Sequence, residues 1–180
     1  DVPDADIDSN DARQAALGLL HLPIFIATVT VFVIWFYRVH ANLEALGARQ
    51  LTYTSGWAAG CWFVPFLNLV RPVQITQEIW RHSDPNAMTG VGRSGNSGLI
   101  GIWWGMWIIT SVFSNISARL AWSVNSPETL KTATVVSMFA EITALIAAIL
   151  ALAVVSGIDA GQTARAEAMR TAGSNWEEDA

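Results

Sequence analysis

The chain has 180 residues, of which 52% are hydrophobic and only 14% are charged, and its formal net charge is −5. A soluble domain usually carries about 25% charged residues, so the composition argues against a water-soluble protein and favours one embedded in a membrane. Ten basic residues set against fifteen acidic ones leave no basic patch for nucleic acid. A single cysteine excludes an internal disulfide.

The two ends of the chain are polar. Five aspartates lie among the first eleven residues, and range 1–15 is predicted to be an acidic tail outside the membrane. Range 159–180 is polar, rich in alanine and mixed in charge, and is predicted to be a C-terminal tail that begins with a short helix. The membrane domain then occupies 16–158.

Three long apolar segments lie inside this domain, at 16–37, 99–118 and 133–158. Each approaches or exceeds the roughly 20 residues that an α-helix needs to cross a bilayer core. The first has Trp35 and Tyr37 at its end, where amphipathic rings favour the membrane interface, and Arg38 follows. The third segment is uncharged, and the last carries one charged residue, Glu141.

A fourth apolar segment, 56–70, is second in chain order and has only 15 residues. A straight helix of that length measures about 22 Å, and Pro65 breaks its hydrogen-bond ladder. It is interpreted as a short span, a kinked span or a re-entrant segment. The next stretch, 74–82, has Ile75 and Ile79 on one side and polar residues elsewhere, which predicts an amphipathic helix at the interface. The expected fold is an all-α polytopic membrane helix bundle with four membrane-embedded segments, the second short and Pro-broken.

The second segment also decides the orientation. With four full spans, both termini share one side, and six of the ten basic residues lie there. If the segment re-enters, the termini lie on opposite sides, and seven basic residues share the side of the C-terminus against three on the side of the N-terminus. Basic residues favour the cytoplasmic side, and both arrangements remain open.

Two motifs in the middle of the chain carry a resemblance to a known family. The first is Trp-x-x-Arg-x-x-x-Asn and the second is Gly-Trp followed by Phe-x-Pro-x-x-Asn-x-x-x-Pro and Glu-x-Trp. They are formed here by Trp35, Arg38, Asn42, Gly56, Trp57, Phe63, Pro65, Asn68, Pro72, Glu78 and Trp80. This region resembles the DUF4328 family of uncharacterised bacterial membrane proteins. The resemblance implies a bacterial membrane protein and brings no activity with it.

The motif residues have a structural interpretation. Arg38 and Asn42 are four residues apart and share a helix face, while Asn68 is an amide in an apolar segment and needs hydrogen-bond partners there. We expect these three side chains to tie the first segment to the broken second one. A ligand site at the break is the alternative.

Two polar residues inside the apolar segments are candidates for function. Ionisable residues within a span are costly and often functional, and Glu141 lies about 12 Å inside its segment by helical rise. Arg119, at the end of the third segment, is its expected partner. His21 is a candidate ligand for haem or a pigment, although it lacks a second ligand. No cluster of cysteine and histidine indicates zinc, and no metal or cofactor is predicted.

Glycines four residues apart allow another helix to approach closely. The pairs Gly56 with Gly60 and Gly101 with Gly105 are predicted to be packing contacts, either internal or with a partner; Gly157 with Gly161 has the same spacing.

The favoured function is an accessory or structural subunit of the bacterial inner membrane. Its expected partners are the lipid bilayer and other membrane subunits or further copies of itself, and no nucleic acid. The alternatives are an oligomeric transporter or channel that uses Glu141 and the broken segment, and a cofactor-binding membrane protein.

Overall fold

The computed structural model describes residues 4–86, 98–123 and 126–178, and within these ranges all regular structure is helical. The all-α prediction is therefore confirmed for the described chain. The α-helices there are α1 (Asp4–Ala45), α2 (Ser55–Gly60), α3 (Arg71–His82), α4 (Gly98–Trp122) and α5 (Pro127–Glu178), and a 3-10 helix (Leu67–Leu69) precedes α3.

Three helices, rather than the four predicted segments, are long and apolar enough to cross a membrane. They are Gly18–Ala45 within α1, Gly98–Trp122 and Pro127–Ala172 within α5. The predicted segments 16–37, 99–118 and 133–158 lie inside α1, α4 and α5. The polytopic bundle accordingly has three candidate spans among the described residues.

The second segment, 56–70, is the one that fails to form a span. Thr54 caps α2 by accepting a hydrogen bond from the amide of Trp57, and the helix ends after six residues at Gly60. Pro65 follows in a turn, and Phe66 adopts a left-handed φ of 65° before the 3-10 helix begins. A six-residue helix is about 9 Å long, so α2 by itself is too short to cross a bilayer core.

The first and last helices are longer than the apolar segments within them. α1 includes most of the predicted acidic tail, so Pro23 lies in its interior and the carbonyl of Leu19 lacks the usual helical donor. α5 runs on to Glu178, through most of the range predicted as a polar tail. Gln162 and Arg165 lie in this extension and are both buried.

α4 packs along α5 over much of its length. Every seventh residue of α5 is buried from residue 133 to 161: Ala133, Ala140, Ala147, Val154 and Gly161. A seven-residue period keeps one face of a helix against a neighbour, and small side chains allow close approach. Phe113 stacks on Phe139, and the Ser117 hydroxyl donates to the Ala133 carbonyl, so the two helices are antiparallel.

An aromatic cluster joins the second segment to α1 and α4; it comprises Phe32, Trp35, Phe36, Trp62, Trp103, Trp104 and Trp107. Trp62 lies at its centre, with its ring centroid 5.3 Å from Phe32 and 5.9 Å from both Phe36 and Trp104. The indole of Trp104 also donates to the Leu69 carbonyl at 3.0 Å. Edge-to-face ring contacts add specific geometry to apolar burial, and they hold the broken segment against the bundle.

Gly157 and Gly161 of α5 are the described glycines with the least space around them, and they face α3 and the residue after it. A Cβ atom at Gly157 would lie 2.6 Å from the Trp80 ring, and one at Gly161 would lie 2.9 Å from the Ser83 carbonyl oxygen. At Gly60, Gly101 and Gly105, no atom of another described element lies within 4 Å of that position. The pair that packs inside the chain is therefore Gly157 with Gly161.

We predict that Gly161→Ala destabilises the protein by about 1–3 kcal/mol, because the added methyl group must displace a backbone carbonyl. Gly105→Ala is the matched control, since it gains the same helical propensity in open space. Thermal unfolding in detergent, followed by circular dichroism, measures both. Equal melting temperatures for the two variants would contradict the close contact between α5 and Ser83.

Candidate functional site

Most of the buried polar residues of the described chain gather where the C-terminal ends of α1 and α3 meet α5. We call this group the polar cap; it comprises His40, Glu78, Ser83, Gln162 and Arg165, each at most 8% exposed. The sequence 71–82 forms an amphipathic helix, which presents Ile75 and Ile79 to the apolar core and Glu78 to the cap. Buried polar groups are costly unless they are hydrogen-bonded, so the contacts of the cap define its role.

Glu78 organises the loop between α1 and α2. Its two carboxylate oxygens accept hydrogen bonds from the backbone amides of Thr52 and Tyr53. The Nε2 atom of His40 lies 3.4 Å from the same carboxylate, and its Nδ1 atom lies 3.2 Å from the Ser55 hydroxyl. A carboxylate that binds backbone amides makes strong, charge-assisted hydrogen bonds, so Glu78 fixes the path of a loop that has no regular structure of its own.

Gln162 links α5 to α1 and α3 together. Its side-chain amide donates to the Val39 carbonyl at 2.7 Å and to the Ser83 hydroxyl at 3.4 Å. Its carbonyl oxygen accepts from the Asn42 amide at 3.2 Å. Three elements of the fold therefore share one buried amide.

Arg165 places a cation in the polar cap, and removing a cation from water costs free energy. Its side chain is 2% exposed, and no carboxylate of the described residues lies within 4 Å of it. Its guanidinium donates instead to two backbone carbonyls, those of Leu46 and His82. These carbonyls follow or end α1 and α3, where helix dipoles concentrate partial negative charge. Two helix ends, together with the Coulomb attraction of the buried Asp84, therefore compensate one buried cation.

These contacts fix the C-terminal ends of α1 and α3 against α5, and we call this arrangement the joint. No three histidine, cysteine or acidic residues of the described chain are grouped so that they could hold a metal. Burial lowers the pKa of His82, which favours a neutral imidazole beside Arg165. Cys61 is buried and donates to the Ala58 carbonyl. Burial raises the pKa of its thiol to about 11, so the nucleophilic thiolate is scarce at neutral pH.

Several of the motif residues lie in or next to the cap. Glu78 and Asn42 belong to its hydrogen-bond network. Trp80 touches Gly157 and Pro72 is buried on the same helix. The Trp35 indole donates to the Asp159 carboxylate at 3.2 Å, a second link between α1 and α5.

Arg38, Asn42 and Asn68 do not join the first and second segments, contrary to expectation. Asn42 bonds to α5 rather than to the second segment. No hydrogen bond joins the side chain of Arg38 or Asn68 to another described residue, and the Asn68 backbone amide bonds within its own turn. Aromatic rings hold the second segment in place instead. Gly56 and Trp57 begin that segment in α2, and Pro65 lies in the turn after it.

Glu141 and Arg119 do not form the ion pair that was expected. Both side chains are exposed, and no nitrogen–oxygen distance within 4 Å joins them. Phe113 lies opposite Phe139, and Ser117 opposite Ala133. This antiparallel register places Arg119 beside the first two turns of α5, near Lys131, and Glu141 about three turns beyond that point. Glu141 also lies on the exposed surface of α5, whereas the broken segment packs against α1 and α4.

His21 lies in the part of α1 where all described side chains of residues 18–31 are exposed. Gly101 and Gly105 are exposed on α4 as well. The expectation that a partner helix packs against them stays a prediction.

Sequence reasoning missed His40, Gln162 and Arg165. The partners of Gln162 and Arg165 include backbone carbonyls, which leave no pattern in a sequence. One signal was present in the sequence nonetheless. Ile158 is an apolar residue on the buried face of α5, and Arg165 follows it seven residues later. A seven-residue count along α5 would have placed Arg165 on the inner face.

Comparison with known proteins gives one match. A family model described as "Domain of unknown function (DUF4328)" matches residues 1–160. No curated protein and no solved structure matches the chain.

We predict that Arg165→Met lowers the free energy of unfolding by about 1.5–3 kcal/mol, the usual size of hydrogen bonds to a charged group. Methionine keeps most of the apolar stem and removes both bonds to the helix ends. Arg170→Met, one turn further along α5 and exposed, should change stability by less than about 0.5 kcal/mol. Chemical unfolding in detergent compares the two, and a tolerated Arg165→Met would show that the joint does not stabilise the fold.

Proposed function

Because the chain belongs to the DUF4328 family, whose description assigns no activity, we propose its role from its own geometry. We propose that it is a small multi-pass protein of the bacterial inner membrane, and that it serves as an accessory or structural subunit beside another membrane protein. The proposal rests on three apolar helices and on a polar group that the described chain leaves exposed within one of them.

That group is Glu141, and it carries the proposal. Acidic residues within spans face a bundle interior or a water-filled cavity, since placing a charged group at the centre of a spanning helix costs about 3 kcal/mol. Glu141 does not face the interior of the described bundle: its side chain is exposed, and it forms no ion pair or hydrogen bond with a described residue. A partner helix that packs on this face of α5 would offer a polar group to which the Glu141 carboxyl group can form a hydrogen bond.

The surface around Glu141 fits a helix in lipid. Ile142, Leu145 and Leu152 are 55–67% exposed on α5. In α1, Thr28 and Thr30 donate to carbonyls of their own helix, so they offer lipid no unsatisfied hydroxyl. Large exposed apolar surfaces indicate a membrane or protein contact.

The directions of the helices support an orientation for the protein. Contacts between Trp35 and Asp159 and between Leu46 and Arg165 show that α1 and α5 run the same way, and α4 runs against them. Three spans place the polar cap on one side of the membrane. Six basic residues of the described chain lie on or beyond that side and three on the other: Arg38, Arg49, Arg71, Arg81, Arg165 and Arg170 against Arg13, Arg119 and Lys131. The bias of basic residues favours a cytoplasmic cap.

We predict that the protein purified from native membranes in mild detergent has a mass above the 19.5 kDa of one chain, because a second polypeptide remains bound at fixed stoichiometry. Glu141→Leu should release that polypeptide, since the interface loses its polar contact. Glu128→Leu, at the exposed start of α5, is the matched control and should leave the complex intact. Native mass spectrometry gives the mass and the composition.

Two results would contradict the proposal. A wild-type protein that runs as a single chain would overturn the subunit role. Complexes made only of copies of this chain would overturn the accessory role and assign the α5 face to self-assembly.

A further inference from the structure

A cavity of about 360 Å³ opens beside the polar cap and plays no part in the joint. It is lined by residues of the α1–α2 loop, α2, the 3-10 helix and α3: Thr52, Tyr53, Trp57, Leu67, Arg71 and Ile75. Its volume falls in the usual range of small-molecule sites, about 300–1,000 Å³. One side is polar and the rest is apolar, so the cavity suits an amphiphilic ligand.

Arg71 provides the polar side. One of its terminal nitrogens donates to the Tyr53 hydroxyl at 2.8 Å and to the Gln74 side chain at 3.3 Å, and the guanidinium lies 5.4 Å from the Tyr53 ring centroid. No carboxylate of the described residues lies within 4 Å of it. A guanidinium has five N–H donors, and neutral partners hold it in place while leaving donors and its positive charge for an anion.

The apolar walls come from Trp57, Leu67 and Ile75. Phe63 and Phe66 lie between α2 and the 3-10 helix, and Val70 follows that helix. We call these three residues the apolar turn; their side chains are 50–83% exposed. Under the orientation proposed above, these residues lie where the bundle leaves the bilayer, and tryptophan and tyrosine concentrate at that interface. An apolar chain that extends from the cavity would therefore continue along a surface already suited to lipid.

The larger groove between α1 and α5, of about 550 Å³, is a weaker candidate. Arg38 lines it, but the carboxylate of Asp159 lines it too. A carboxylate opposes the binding of an anion by Coulomb repulsion. The cavity at Arg71 contains no acidic residue, so the two sites differ in charge as well as in size.

We propose that the cavity at Arg71 binds the phosphate of an anionic phospholipid, with the acyl chains lying against the apolar turn. The guanidinium recognises the phosphate oxygens, as arginine does in other phosphate sites. Thr52 supplies a hydroxyl group for the remainder of the headgroup, while the Tyr53 hydroxyl donates to the Gln74 side chain at 2.9 Å and so helps to hold Arg71 in place. This inference rests on the membrane setting of the proposed function and needs no protein partner.

Native mass spectrometry of the full chain in detergent tests it, with dioleoyl phosphatidylglycerol and dioleoyl phosphatidylcholine added separately. The wild type should bind phosphatidylglycerol more tightly than phosphatidylcholine. Arg71→Gln should weaken the binding of phosphatidylglycerol by at least about tenfold, since a charge-assisted contact is lost. Arg81→Gln, an exposed arginine on the same helix that does not line the cavity, should bind like the wild type.

Three outcomes would overturn the proposal. The first is equal affinity of the wild type for the two lipids, which is read without any variant. The second is an equal loss of affinity in the Arg71 and Arg81 variants, which indicates diffuse surface charge. The third is displacement of the lipid by millimolar glycerol 3-phosphate, which assigns the site to a soluble phosphate ester. Because the measurement uses the isolated chain, failure of the Glu141 interface would leave it unaffected.

Discussion

The architecture depends on one buried cation that joins two helix ends. Removing a guanidinium from water costs several kcal/mol, and the carbonyls of Leu46 and His82, together with the Coulomb attraction of Asp84, offset that cost for Arg165. These carbonyls carry partial negative charge because they lie at the C-terminal ends of helices. The contact fixes α5 against both α1 and α3, and Gln162 repeats the connection one turn earlier. The polar cap is therefore a single layer that holds three elements in register.

This layer explains why the second apolar segment need not cross the membrane. The residues before it are bound by Glu78, and the residues after it form α3, which returns to the same cap. Between them, the chain forms α2 and a turn, which places Trp62 among the aromatic rings of α1 and α4. The apolar surfaces that remain, on α1 and on the Glu141 face of α5, point outward. The fold thus separates an internal joint from external surfaces that suit lipid and a partner.

Much of this could be predicted from the sequence, because long apolar segments and amphipathic periodicity are local properties. Three of the four predicted membrane segments, which are the three candidate spans, follow from them, as do the break at Pro65 and the amphipathic α3. The DUF4328 motifs identified Asn42 and Glu78. The rest depends on which faces meet. Glu141 is exposed because α5 buries a different face, which has small residues at every seventh position from Ala133. The distance of Glu141 from Arg119 follows from the register of α4 on α5. The role of Arg165 depends on backbone carbonyls that are distant in sequence.

The joint between Leu46 and Arg165 requires the α1–α2 loop and the C-terminal part of α5 to share one side of the membrane. Single cysteines at Arg49, Ser123 and Thr171, all exposed positions, test this by labelling with an impermeant maleimide in intact cells and in inverted vesicles. The buried, protonated Cys61 should contribute only a slow background. If three helices span the membrane with the polar cap on the cytoplasmic side, we expect positions 49 and 171 to be labelled in inverted vesicles and position 123 in intact cells. Labelling of position 49 from the same side as position 123 would mean that the second segment crosses the bilayer, and would contradict the account.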